Sequence, residues 1–412
     1  MMVANQWDEE REEQQQQQQH HHHLLRMDVD HVEDEDMFDD IDVDEDEEED
    51  YYDEEEEEDE TVVVQSAFRD NDTSVIDLSD RDMTNDGARL VANGLVRLNN
   101  NADLTTPTSN KDIVGCHNNN SNNNHTCCVS QLNLGSNAIS DDGAIALAAA
   151  LPYAKGLRLL ELGRNDIGTR GTVALARALR TTPSSLTYLS LQFNGVMKRD
   201  GYLAWADTLR INQTLHTLFL CTSYMGDEGV VTLASALAHN QALENFWICN
   251  NNITPVGAKA LAKALTTNQR LRLLSMDGNH IEDEGAQHLA HTLRYHNNTL
   301  QELYVRDNGV NDPGTHAIAQ AVVQNHSLIN IFTGHSHLYP REMSKAEKQL
   351  QLLVQWNKRK LYRLFQEPNH AVYPILLFKL LNSKPGRSRP YFDECLYWIK
   401  NKPEVFMRTA DN

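Results

Sequence analysis

The chain has 412 residues, 60 acids against 36 bases for a net charge of −24, and 40% apolar content, which gives room for two or three domains of unlike character. No apolar run reaches the roughly 20 residues of a membrane-spanning helix, and the N-terminus is acidic and polar where a secretory signal is basic and then apolar; an intracellular location, cytoplasmic or nuclear, and no membrane partner are expected. Cys116, Cys127, Cys128, Cys221, Cys249 and Cys395 are too few and too irregular for a disulfide scaffold, so a reducing compartment is the simpler reading.

Charge is concentrated at the start. Residues 1–60 hold 29 acids and only Arg11 and Arg26 as bases, so their net −27 leaves +3 for the rest of the chain. Self-repulsion and scarce apolar surface cannot offset the entropy of ordering, and residues 1–66 are expected to be a disordered acidic, Gln- and His-containing low-complexity segment. His20 to His23 are possible weak metal ligands, but they follow a glutamine run and read as part of the same biased composition. Phe38, Ile41, Val43, Tyr51 and Tyr52 interleave with the carboxylates, a pattern that suits capture of a basic protein; the plainer alternative is a solubilising tail. Phosphate repulsion argues against nucleic acid as a partner.

From about residue 74 the chain repeats. The first apolar anchor of L-x-L-x-x-N-x-I falls at Ile76, Leu132, Leu160, Leu189, Leu218, Phe246, Leu274, Leu303 and Ile331, with a gap of 56 and then steps of 28, 29, 29, 28, 28, 29 and 28. Alternating apolar residues predict a short strand in each unit. A following G-x-x-x-L-A-x-x-L, as at Gly143, Leu147 and Leu151, predicts a helix with one apolar stripe. A single unit cannot bury that stripe, whereas stacked units share one core. Asn137, Asn165, Asn194, Asn251, Asn279 and Asn308 follow the strands at a fixed offset, with Arg81 and Ser223 in that place in two units. Their amides suit backbone groups where the chain leaves the sheet. Acids just before the glycines, such as Asp141, Asp227 and Asp283, favour helix N-termini electrostatically over a calcium site.

This pattern resembles the leucine-rich repeats of the ribonuclease-inhibitor type, over roughly residues 74–338. The resemblance implies an α/β fold: a leucine-rich repeat solenoid, horseshoe-shaped, with a parallel β-sheet inside and helices outside. Proteins of this type, among them ribonuclease inhibitor and Ran GTPase-activating proteins, hold another macromolecule on the array. The expected array spans residues 67–338. It is interrupted at about 99–128 by an Asn-rich insertion with no L-x-L-x-x-N motif, either a degenerate unit or a loop, and composition favours the loop. Cys116, His117, His125, Cys127 and Cys128 within it match no zinc spacing.

Residues between and beside the anchors point away from the helices. They form a column of Asp77, Asn133, Glu161, Ser190, Phe219, Trp247, Ser275, Tyr304 and Phe332, aromatic toward its C-terminal end, flanked by Tyr188, Gln192, Cys221, Asn245, Cys249, Leu273, Asp277, Glu302 and Arg306. The pattern makes these solvent-facing. Large aromatics there suit anchors of a protein-binding concave face, although strands favour aromatics in any case. The expected binding residues are Tyr188, Gln192, Phe219, Asn245, Trp247, Asp277, Tyr304, Arg306 and Phe332. Cys221 and Cys249 are read as free thiols. Seven Asn-x-Ser/Thr tripeptides, at Asn71, Asn119, Asn124, Asn212, Asn252, Asn297 and Asn325, reflect an asparagine-rich chain that lacks a secretion signal.

Residues 339–412 carry 14 bases against seven acids. A helix from about Ser344 and two shorter ones broken by prolines predict a basic helical region that caps the solenoid. No nucleophile recurs with a base at catalytic spacing, and an open sheet lacks an enclosed pocket; His335 and His337 read as surface or cap. The expected function is a non-catalytic protein-binding scaffold without cofactor or metal. A GTPase-activating or other regulator of a small GTPase of the Ran type is the alternative.

Overall fold

The computed structural model describes residues 59–69, 74–100, 129–181, 184–334 and 343–358. The acidic block before residue 59, Cys116, His117, His125, Cys127 and Cys128 of the insertion, the pair His335 and His337, and the chain beyond Lys358 lie outside the described residues.

Within that range the chain runs α1 (Glu60–Arg69), β1 (Val75–Asp77), α2 (Asn85–Asn100), β2 (Gln131–Asn133), α3 (Asp141–Ala150), β3 (Leu159–Glu161) and α4 (Thr169–Thr181). It continues as β4 (Tyr188–Ser190), α5 (Arg199–Leu209), β5 (Thr217–Phe219), α6 (Gly226–Leu237), β6 (Asn245–Trp247) and α7 (Pro255–Leu265). The last elements are β7 (Leu273–Ser275), α8 (Glu282–Tyr295), β8 (Glu302–Tyr304), α9 (Asp312–Gln324), β9 (Asn330–Phe332) and α10 (Lys345–Lys358). The nine strands form one parallel sheet in sequence order, each step crossed by a helix. The middle residue of every strand pairs with the middle residue of the next, from Ile76 with Leu132 to Leu303 with Ile331.

These middle residues are the predicted anchors, and all are buried in one continuous core with the helix residues at the recurring offsets, such as Leu147, Leu175, Leu233, Leu261 and Leu289. β1 pairs directly with β2, so no strand stands between them in the sheet, and residues 101–128 of the insertion lie outside the described residues. At the N-terminal end the structure corrects the expected boundary. Residues 60–66, assigned from composition to the disordered segment, belong to helix α1, where Val64 enters the core with Val63, Ala67 and Phe68 packed beside it. The run Thr61 to Phe68 is apolar enough to bury a face once the acids end, and the Asp59 carboxylate accepts the Thr61 N–H at 2.8 Å to open the helix.

Asparagines stitch neighbouring units. The Asn165 amide donates to Leu134 O at 2.9 Å and accepts the Ile139 N–H at 3.0 Å; Asn279 does the same with Ile248 O at 3.2 Å and Ile253 N at 3.0 Å. Each satisfies backbone groups in the preceding unit that have left the sheet. Ser223 places a shorter hydroxyl where this row has an amide and is itself buried.

A second row lies at the other end of the helices. Asn212, Asn240, Asn268, Asn297 and Asn325 donate to Leu179, Leu209, Leu237, Leu265 and Leu293 carbonyls at 2.6–3.0 Å. Their Oδ1 atoms accept N–H groups of Leu215, Leu243, Leu271, Leu300 and Leu328.

The acids before the glycines act one unit further along than expected. Asp141, Asp227 and Asp283 accept the N–H groups of Gly171, Gly257 and Gly314, in the first turn of the next helix, at 2.7–3.0 Å. This contact requires glycine: a Cβ on Gly257 would stand 2.6 Å from Asp227 Oδ1 and 2.7 Å from Ile253 Cγ2.

The predicted C-terminal helix begins where expected. Ser344 and Glu347 form a reciprocal capping box, Ser344 N–H to Glu347 Oε2 at 2.6 Å and Glu347 N–H to Ser344 Oγ at 3.2 Å. Leu350, Leu353 and Val354 close the core, Gln351 donates to the open Ile331 carbonyl at 2.9 Å, and Asn357 extends the second row to Asn325 O at 2.7 Å.

Candidate protein-binding face

The sheet turns one face to the helices and carries on the other every residue of the predicted columns. There the rings form a row across the strands. Tyr188 meets Phe219 with centroids 5.3 Å apart at 47°, Phe219 stacks on Trp247 at 5.1 Å and 15°, and Tyr304 stacks on Phe332 at 5.1 Å and 11°. Trp247 and Tyr304 are separated by β7, yet their centroids are 5.6 Å apart, where two strand spacings come to roughly 9.5 Å. The rings lean toward each other over Ser275, which is fully buried beneath them.

The expectation that these aromatics stand in solvent is corrected. Phe219 is 4% exposed and Trp247 and Tyr304 are each 6% exposed, and with Cys221, Cys249 and Leu273 they make a second apolar cluster of their own. Alternation assigns a side chain to a face; flat rings on adjacent strands then cover one another. Tyr188 and Phe332, at the ends of the row, remain half-buried.

Polar groups border the row. At its N-terminal end Glu161 accepts the Gly163 N–H at 2.9 Å and the Tyr188 hydroxyl at 3.3 Å. Gln192 is 6% exposed and its Oε1 is left without a hydrogen-bond donor. Glu161 and Gln192 converge above Gly163, where a Cβ would meet Glu161 Oε1 at 2.7 Å and Gln192 Cγ at 3.0 Å. Burial pushes the Glu161 carboxyl upward against the hydrogen bonds from Gly163 and Tyr188, and burial likewise raises the Tyr188 phenol. Asn245 donates to Thr217 Oγ1 at 3.0 Å.

At the other end, Asp277 Oδ1 accepts the Arg306 N–H at 2.7 Å. Burial raises its carboxyl from 3.8 to about 6, opposed by the Arg306 charge. The Arg306 guanidinium lies 4.3 Å from the Phe332 centroid and 5.8 Å from that of Tyr304, and the Tyr304 hydroxyl donates to Glu302 at 2.6 Å. Cys221 and Cys249 are free and buried; the Cys249 N–H reaches Cys221 Sγ at 3.3 Å, and burial raises the Cys221 thiol well above its ordinary range.

All nine predicted residues therefore lie on one face, with Phe219, Trp247, Tyr304 and Phe332 in mutual contact and Gln192 and Asn245 set among polar neighbours. Glu161 is the contributor the sequence reading named only as part of the column; its neighbour Gly163, which leaves room for Gln192 to approach, was the available signal. Among the described residues no group of three or more His, Cys, Asp or Glu is arranged to hold a metal ion, and no helix is long and apolar enough to cross a membrane.

The profile of the family described as Leucine Rich repeat matches residues 125–148, 267–290 and 296–319. A search of curated protein sequences finds no match. Among solved structures, one titled as actin-binding site 2 of leiomodin-1 is 21% identical, covering 40% of this chain and 93% of that one with a TM-score of 0.34. The tropomodulin C-terminal domain from Caenorhabditis elegans is 18% identical, with 39% and 93% covered and a TM-score of 0.33. The repeat assignment rests on the profile and on the strand–helix periodicity, and the chain is a leucine-rich repeat solenoid in architecture.

Proposed function

We propose that this leucine-rich repeat chain is a non-catalytic scaffold that holds a protein partner on the sheet face carrying Tyr188, Phe219, Trp247, Tyr304 and Phe332, while its acidic N-terminal segment engages a basic protein. The observation that carries the reading is the row itself: five rings in contact across strands β4 to β9, with both ends half-exposed, forming a cluster separate from the core that the described helices share with the sheet. Aromatic area bordered by polar groups is the composition of recognition surfaces. A non-catalytic role is supported by the state of the candidate nucleophiles. Cys221 is held protonated by burial, the opposite of an activated thiol, and the Asp141, Asp227 and Asp283 carboxylates are committed to backbone N–H groups. Buried free thiols at Cys221 and Cys249 support a reducing compartment, cytoplasm or nucleus.

Affinity capture from native lysate with the full chain and with Tyr188→Ala/Phe332→Ala tests this. These end rings are half-buried, so their removal disturbs the array less than loss of Trp247. Partners retained by the wild type and lost by the variant are expected; recovery of the same set by both would remove the sheet face as the recognition surface.

A further inference from the structure

Helices α3 to α6 leave an apolar strip in water. Ile145, Leu203 and Val231 are 36%, 41% and 42% exposed, and half-buried Val173 holds the same place in α4. Each is the second residue after the glycine of its unit, at Gly143, Gly171, Gly201 and Gly229, so stacking sets the four in one line, with neighbouring helices roughly 8–10 Å apart. Half-buried Ala146, Ala174 and Ala204 follow three of them and keep the intervening surface apolar. The fold does not require this. In α2, α7, α8 and α9 the equivalent exposed position carries Arg89, Lys259, Gln287 and His316, so the position accepts polar residues and the apolar run is confined to four consecutive helices. α3 is apolar on every side as well, with no polar side chain from Gly143 to Ala150, the composition of a helix that is covered all round.

The acids beside the strip are taken up, whereas several bases are not. Asp142 pairs with Arg170 at 3.0 Å and Glu228 with Arg199 at 3.4 Å, while Asp207 is shared by Arg180 at 3.5 Å and Arg210 at 2.8 Å. Asp141 and Asp227 are spent on backbone N–H groups, which leaves Asp200 in the first turn of α5. Against it stand exposed Arg177, Lys259 and Lys263, which form no ion pair among the described residues. The two lysines lie four apart on α7, where Val231 gives way to Lys259 along the line.

We propose that this helical face docks an acidic, amphipathic segment of a partner protein, its apolar residues along Ile145, Val173, Leu203 and Val231 and its carboxylates on Arg177, Lys259 and Lys263. It is a second surface, independent of the sheet face. An extended chain advances about 10 Å in three residues, so an apolar residue at every third place meets one helix after another. Covering the strip supplies affinity, and the unpaired cations favour acidic sequences over basic ones.

Fluorescence anisotropy with the full chain at about 0.15 M salt tests this. The labelled peptides are Leu-Glu-Glu repeats and equally charged Ser-Glu-Glu repeats of about 15 residues, enough to cross α3 to α7. Four proteins are compared: wild type, Leu203→Gln/Val231→Gln, Lys259→Gln/Lys263→Gln, and a control, Lys345→Gln/Lys348→Gln, that removes the same charge from α10. The Leu-Glu-Glu peptide is expected to bind about tenfold more weakly to the strip variant, about threefold more weakly to the α7 variant, and within about 1.5-fold of wild type to the control; the Ser-Glu-Glu peptide is expected not to bind. Melting temperatures of the variants should stay within about 3 °C of wild type, because other units carry polar residues at the same place. Equal affinity of wild type and the strip variant for Leu-Glu-Glu, or of wild type for both peptides, overturns the proposal. Binding lost in Tyr188→Ala/Phe332→Ala and kept in the strip variant overturns it too, and assigns the peptide to the sheet face. If sedimentation shows a wild-type dimer that Leu203→Gln/Val231→Gln dissociates, a second copy covers the strip and the acidic partner falls.

Discussion

Asp277 holds its buried place at a cost to stability. Its folded-state value of about 6 lies above the ordinary 3.8 because burial penalises the charge more than Arg306 relieves it. Between those values the folded chain binds more protons than the unfolded chain, so stability falls as pH rises through the window, and the penalty is complete above about pH 6. Asp277→Asn keeps an oxygen to accept the Arg306 N–H and removes the charge. It is expected to raise stability at pH 7.5 by about 1–2 kcal/mol, discounting for partial solvent access, with the gain vanishing near pH 4; thermal melts of both proteins across that range check it. Asn279→Ala acts oppositely. It strands Ile248 O and Ile253 N in the interior, and a loss of about 2–4 kcal/mol is expected in urea unfolding, against a few tenths for the exposed Asn298→Ala. The first asparagine row was legible because it closes each L-x-L motif. The second was hidden in the same chain by its resemblance to glycosylation tripeptides, and only the hydrogen bonds of Asn212, Asn297 and Asn325 reveal its work.

At the scale of elements, helices and strands were legible because their two periodicities alternate at a fixed interval. What periodicity omits is how much water reaches a face. The side of Phe219, Trp247 and Tyr304 follows from alternation, but ring contacts between strands 28 or more residues apart add to their burial, and the small Ser275 lets Trp247 lean onto Tyr304. Ser275→Leu is expected to separate those rings and cost about 1–3 kcal/mol through overpacking. A loss of the near-ultraviolet dichroism of the stack, with far-ultraviolet signal unchanged, would report it. The start of α10 was readable from Ser344 and Glu347, and Ser344→Ala is expected to lower stability by about 1 kcal/mol. The start of α1 was not readable, because charge counted over a window runs past the first apolar turn.

For the molecule as a whole, stability is a sum of units and of contacts between neighbours, so the direct pairing of β1 with β2 matters. The connection from Asn100 to Gln131 is far longer than that from Thr181 to Tyr188, although both join a helix to the next strand of the same sheet. Deleting residues 104–126 restores the shorter connection and is expected to leave the melting temperature within about 3 °C, since long surface connections contribute little beyond closure entropy. A drop well beyond that would mean the insertion packs on the array.

The second asparagine row also bears on where such a chain can be made. Asn212, Asn297 and Asn325 each precede a hydroxyl residue by two positions, and each Nδ2 is spent on a carbonyl of the unit before it. An oligosaccharide transferred to the emerging polypeptide would occupy that nitrogen before the units meet. Translation into a glycosylating lumen is therefore expected to give a sugar-bearing chain whose units cannot close, while the same sequence released into cytosol zips shut.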